Sequence, residues 1–174
     1  PGPGPGNDDV VADPTPIDTN PMSRYEALTV LETIENDTNQ ANQDFDLIMS
    51  YVNSGTVFVR EGVDVFVAII NSTGNSSTTD AQNIFRNVID KYIATGVSPM
   101  ELASVFVNSN RIEVDNNQAN ENLNLVVSLM SVYTETVAEA GAEFHRVLNL
   151  IGKGSTTDAR DLFTTIVESK RQGT

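Results

Sequence analysis

The pentapeptide Ser77-Thr78-Thr79-Asp80-Ala81 occurs again, unchanged, as Ser155-Thr156-Thr157-Asp158-Ala159, an offset of 78 residues. At that offset Asn39-Gln40-Ala41-Asn42 returns as Asn117-Gln118-Ala119-Asn120, and Pro21-Met22 returns as Pro99-Met100. Residues 21–92 laid over 99–170 without a gap agree at 23 of 72 positions. Many of the remaining positions exchange one apolar residue for another: Ile48/Val126, Ile69/Val147, Ile84/Leu162. A repeat of this kind constrains the fold more than any local propensity, because equivalent segments must find equivalent environments. The chain reads as a tandem duplication, with residues 20–97 and 98–174 as its copies and residues 1–19 as a tether.

Composition excludes several chemistries. The chain has no cysteine, so disulfides, Cys-based zinc sites and thiol redox chemistry are out of reach. Ten basic residues against 24 acidic ones leave a net charge of −14. Nucleic acid and anionic membrane surfaces, which need basic patches, are therefore poor partners. The acids are evenly spread, four in residues 1–19 and ten in each copy, which reads as a solubility device and not as an acidic tail. No stretch is apolar enough for a transmembrane span. There is no signal-peptide pattern, and the opening Pro-Gly-Pro-Gly-Pro-Gly looks like an internal junction of a longer protein.

Six of the seven prolines stand at 1, 3, 5, 14, 16 and 21. Alternating Pro and Gly can form neither a helix nor a central strand, so residues 1–19 read as a flexible linker. The remaining proline, Pro99, is the partner of Pro21. Each follows a capping residue, Asn20 or Ser98, so the first helix of each copy is expected to start at about 21 and about 99. Tyr25, Leu28, Leu31 and Ile34 fall on one face in the first copy, and Leu102, Val105, Phe106 and Ile112 in the second.

The Asn-Gln-Ala-Asn segment opens a second helix, with Ala41, Phe45, Ile48 and Val52 matched by Ala119, Leu123, Val126 and Met130. The third element is the ambiguous one. Residues 56–70, TVFVREGVDVFVAII, are β-branched and argue strand by themselves, whereas their partner 134–148, TETVAEAGAEFHRVL, is helical in propensity. Homologous copies share a fold, so both are expected to be helices, with Val59, Val63, Phe66 and Ile70 matching Val137, Gly141, Phe144 and Leu148. The fourth helix starts at a Ser-x-x-Asp capping box, Ser77 with Asp80 and Ser155 with Asp158. Ala81, Ile84, Phe85, Val88 and Ile89 follow, ending near Gly96; Ala159, Leu162, Phe163, Ile166 and Val167 follow in the second copy. Gly74 and Gly152 suit the stop of the preceding helix. The expected fold is all-α, a tandem duplication of a 78-residue four-helix unit, forming either one fused eight-helix domain or two bundles.

The candidate sites are weak. The repeated pentapeptide could offer hydroxyls and a carboxylate to a ligand, but helix capping accounts for Ser and Asp at that spacing. His145 is the single histidine and aligns with Val67, so a Ser–His–Asp arrangement lacks a repeated base. Glu139 and Glu143, with Glu61 and Asp64 of the other copy, read as a solvated face. Asp37-Thr38-Asn39 and Asp115-Asn116-Asn117 begin like calcium loops and then fail the pattern, and no phosphate-binding loop or zinc motif occurs. No catalytic, cofactor or metal site is assigned. Asn36, Asn71 and Asn75 fit the N-glycosylation pattern, which arises easily in an Asn-, Ser- and Thr-rich chain.

With Pro1 to Gly6 as linker and two 78-residue helical copies as domain, the chain resembles the spidroins, the spider silk proteins, in which helical units alternate with low-complexity linkers. It departs from many spidroin units in favouring Val, Asn and Asp over Ala and Ser. The resemblance implies a secreted, non-enzymatic structural role in fibre or glue, soluble in storage and self-associating during assembly. The other reading is a helical-bundle carrier whose apolar interior holds a lipid or small hydrophobe. If the repeated serines are caps, Ser77→Ala or Ser155→Ala lowers stability by about 1 kcal/mol in chemical denaturation and abolishes no activity. Loss of function with unchanged unfolding would contradict this.

Overall fold

A computed structural model describes residues 17–73, 78–107, 116–130, 136–151 and 156–173. Eight helices lie among the described residues: α1 Arg24–Glu35, α2 Thr38–Asn53, α3 Val59–Ser72, α4 Thr78–Thr95, α5 Pro99–Val107, α6 Asn116–Met130, α7 Val137–Ile151 and α8 Thr156–Gly173. The fold is all-α. The starts of α2 and α6, α3 and α7, and α4 and α8 all stand 78 residues apart. The β-branched segment resolves as helix: α3 covers Val59–Ser72 even though its composition favours strand. Burial of Val63, Val65, Phe66, Ile69 and Ile70 on one side outweighs the small per-residue helix penalty of β-branching.

Within each set of four, the same pairs pack. In the first set α1 meets α2 and α3, α2 meets α3 and α4, and α3 meets α4; in the second α5 meets α6 and α7, α6 meets α7 and α8, and α7 meets α8. Phe66 and Phe85 meet edge to face at 5.6 Å, and their equivalents Phe144 and Phe163 do the same at 5.2 Å. All four rings are buried. The sets join where α3 packs on α5 and where α4 packs on α5 and α6. One buried apolar cluster runs through both, from Met22 to Val167.

Short-range chemistry sets the helix ends. Ser23 caps α1, accepting from the Glu26 amide at 3.0 Å, and Asp37 caps α2, accepting from Gln40 at 3.1 Å. Asn36 takes the left-handed conformation between them, which Asn tolerates better than other side-chain-bearing residues. Gly96, at φ +78, closes α4 with its N–H on the Tyr92 carbonyl. Ser98 then caps α5 and Pro99 occupies its first position. Gly141 lies so close to α5 that a Cβ there would come within 3.3 Å of the Val105 Cα.

Several expectations need correction. α1 starts at Arg24, not at about 21: the Arg60 guanidinium binds the carbonyls of Asn20 and Pro21 at 3.0 and 3.3 Å, and Ser23, with extended backbone, takes the capping position. Tyr25 faces solvent, and the buried face of α1 is Ala27 and Leu31, with Leu28 and Ile34 half-buried. On α2 the buried positions are Ala41, Asp44, Ile48 and Met49; Phe45 and Val52 are only partly covered. Leu162 is exposed although Ile84 is buried. Residues 1–16, Gly74, Asn75, Ser77, Ile112, Gly152 and Ser155, and the side chains of Phe106 and Met130, lie outside the described residues.

Truncating either member of a phenylalanine pair removes a fully buried ring. Phe66→Ala and Phe144→Ala are each expected to lower stability by about 3–5 kcal/mol in urea titration. A loss below about 1 kcal/mol at either position would show that the two rings are not equivalent core elements.

Candidate functional site: a buried carboxyl pair

The least ordinary polar group among the described residues is Asp44, an acid with no exposed surface in the middle of α2. Helical spacing from Ala41 and Ile48 carries position 44 onto the core-facing stripe. There it meets the end of α1 and the first turns of α4. The Gln82 side-chain amide donates to Asp44 Oδ1 at 2.7 Å, and the Thr78 hydroxyl donates to Glu35 Oε1 at 2.9 Å. The other oxygens, Asp44 Oδ2 and Glu35 Oε2, are both buried and find no donor in the protein.

Two neighbouring acceptors cannot bond without a proton between them. The Asp44 pKa is raised from 3.8 to about 8, first by burial and then by the Glu35 carboxyl, against the Gln82 amide. Burial beside a second carboxyl thus favours the protonated form of Asp44.

The second set meets the same need with different residues. Asn122, the equivalent of Asp44, is 2% exposed and accepts from Arg160 at 3.0 Å; Arg160 stands at the Gln82 position. That guanidinium also donates to Gln118 at 2.9 Å and pairs with Glu121 at 3.0 Å. Acid with amide in one set corresponds to amide with cation in the other. Sequence reasoning passed over Asp44 because it took Phe45 for the buried position. The signal was present: an acid three residues after Ala41 and four before Ile48.

The sequence candidates take other roles. His145 is partly buried on α7 and its Nε2–H donates to the Val105 carbonyl of α5; burial lowers its pKa. Glu139 is exposed and forms a reciprocal cap with Thr136: the Glu139 amide donates to Oγ1 at 3.1 Å and the Thr136 amide to Oε1 at 2.9 Å. This Thr-x-x-Glu box was legible and was missed. Those bonds hold the Glu139 pKa below the usual value. Glu143, held low mainly by its bond from Arg146, also pairs with Lys170. Glu61 is half-buried and Asp64 is exposed. Asp80 and Asp158 stand in the first turns of α4 and α8, where a carboxylate favours the helix dipole. Asn36 ends α1 and Asn71 is exposed on α3. Among the described residues no three His, Asp or Glu side chains gather as a metal site, and no helix is long and apolar enough to cross a membrane.

No protein-family model, curated protein or solved structure matches the chain.

The carboxyl pair has a signed consequence for stability. Asp44 has a folded pKa raised above its unfolded value, so its contribution is fully present below about pH 4 and is lost as pH rises toward 8. His145 works in the opposite sense, since a lowered pKa costs stability as pH falls below 6.5. Comparison with Asp44→Asn isolates the acid, because His145 is common to both proteins. The variant is expected to exceed the parent in stability at pH 8, with the difference shrinking toward pH 4. Urea midpoints that run parallel from pH 4 to 8 would show that Asp44 is not protonated in the fold.

Proposed function

We propose that the chain is a non-enzymatic structural repeat unit of a secreted fibrous or adhesive protein, silk-like in character. Its acidity keeps it dispersed in storage, and removal of that charge lets copies associate. The observation that carries this reading is the pair of like-built helical sets fused end to end through one core, which is an architecture of repetition. Most of the buried interior is apolar packing. Polar side chains drawn into it bond one another, as at Asp44 Oδ1 with Gln82 and at Asn122 with Arg160. The chemistry of these groups is that of internal support.

A second reading, carriage of a small hydrophobe, is favoured by a groove of about 580 Å³ where Phe58, Val65, Tyr92 and Met100 form an apolar wall. Asp18, Arg60, Glu61 and Asp64 share that groove, which opens to solvent, whereas an apolar ligand prefers an enclosed site with few polar groups. The structural reading therefore stands first.

Carboxylates titrate near pKa 4, so acidification toward the isoelectric point, about 4.2, removes the repulsion among 24 acids. The buried Asp44 pair gains stability over the same range, which favours retention of the fold. A monomer or small oligomer at pH 7 is expected to self-associate between about pH 5 and 4 with helix content largely kept. Light scattering with far-UV circular dichroism checks this. A chain that stays dispersed down to pH 4 would overturn charge-limited assembly and give weight to the carrier.

A further inference from the structure

The junction between the two sets of helices is directional. α3 and α4 of the first set present one face, and α5 and α6 of the second present another. A twofold relation would also place α7 on α1 and α8 on α2, and neither pair forms a packed interface. The relation is head to tail, so each end of the molecule keeps one half of the junction unused: α7 and α8 at one end, α1 and α2 at the other.

Individual side chains mark these unused halves. On α4, Asn87 crosses the junction and donates to Asn120 at 3.1 Å and to Asn124 at 3.2 Å. Ile84, one turn before Asn87 on the same helix, is 0% exposed. The equivalents of Ile84 and Asn87 on α8 are Leu162, 40% exposed, and Thr165, also exposed. The equivalents of Asn120 and Asn124 on α2 are Asn42 and Asp46, both exposed. On α5 Ala103 is 0% exposed, while Tyr25, at its place on α1, is 82% exposed. Positions covered inside the chain are open at its ends, and an apolar residue stands at each end.

We propose that the α7–α8 face of one molecule receives the α1–α2 face of a second copy of this chain, continuing the internal α3–α4 to α5–α6 junction from molecule to molecule. Leu162 then takes the place of Ile84, and the Thr165 hydroxyl faces Asn42 and Asp46. A heterologous contact of this kind grows into a linear stack unless its rotation closes a ring. The inference rests on the structural-repeat reading and specifies its interface.

The test uses two single-face variants of the full chain, Leu162→Arg and Asn42→Arg. Both positions are exposed, so circular dichroism and thermal melts are expected to match the parent; Thr165→Arg serves in place of Leu162→Arg if that variant melts early. Under the acidic conditions in which the parent associates, each variant alone is expected to remain monomeric in analytical ultracentrifugation. An equimolar mixture is expected to form a dimer that grows no further, since each variant keeps the half that the other has lost. Assembly by either variant alone as readily as by the parent would overturn the proposed faces, and a mixture that stays monomeric would overturn head-to-tail pairing. A parent that never associates would instead remove the structural reading on which the inference rests.

Discussion

The packing of α5 is the contact on which the rest of the molecule depends. This nine-residue helix, PMELASVFV, touches α3 and α4 on one side and α6 and α7 on the other. Leu102, Ala103 and Val105 are all buried. So short a helix has little stability of its own, and burial between neighbours is what holds it. Two features of its partners permit the fit. Gly141 lets α7 approach the α5 backbone at Val105, and His145 bonds the carbonyl of the same residue. Through α5 the first set's core becomes continuous with the second's.

The two sets show how one architecture accepts different polar solutions. An inward position on the second helix of each set is polar, Asp44 or Asn122, and each finds its partner on the fourth helix, Gln82 or Arg160. Leaving a buried polar group unpaired costs about 1–3 kcal/mol, so changes at the two positions must be compatible. Asp44 with Gln82 sits beside the Glu35 carboxyl, which with burial raises the Asp44 pKa. Asn122 with Arg160 needs an acid to balance the guanidinium, and Glu121 supplies it. The first solution places an acid of raised pKa in the core, and the second places a neutral amide there.

That asymmetry bears on the proposed assembly role. Surface acids repel at neutral pH, and their protonation weakens the repulsion without requiring any helix to move. A buried acid stabilised by its proton acts in the same direction on the fold. For the proposed role, Asp44 and the surface acids would act together on acidification, while His145, with its lowered pKa, works against them.

The repeat was legible without coordinates, and much followed from it. Equivalence of residues 56–70 with 134–148 identified α3 as a helix against its own composition, and it placed Phe66, Phe85, Phe144 and Phe163 in the core. Local chemistry similarly foretold the Ser98–Pro99 start and the Gly96 stop, since a cap and a positive φ depend on neighbours in sequence. The start of α1 was different. Asn20-Pro21 carries the local signal for a helix, but Arg60, some 40 residues away, occupies the carbonyls. Tyr25 and Leu162 sit at apolar positions of a helical stripe, yet only the stacking of one set on another decides which stripe is covered. Asp44 lies on a stripe that periodicity alone could rotate by one residue, and its raised pKa follows from burial under other helices and from Glu35, against the Gln82 amide. Sequence by itself determined the elements and their repetition, because those depend on period and on short-range bonds. Tertiary structure decided which faces meet and which charges survive, because these depend on desolvation by residues distant in the chain.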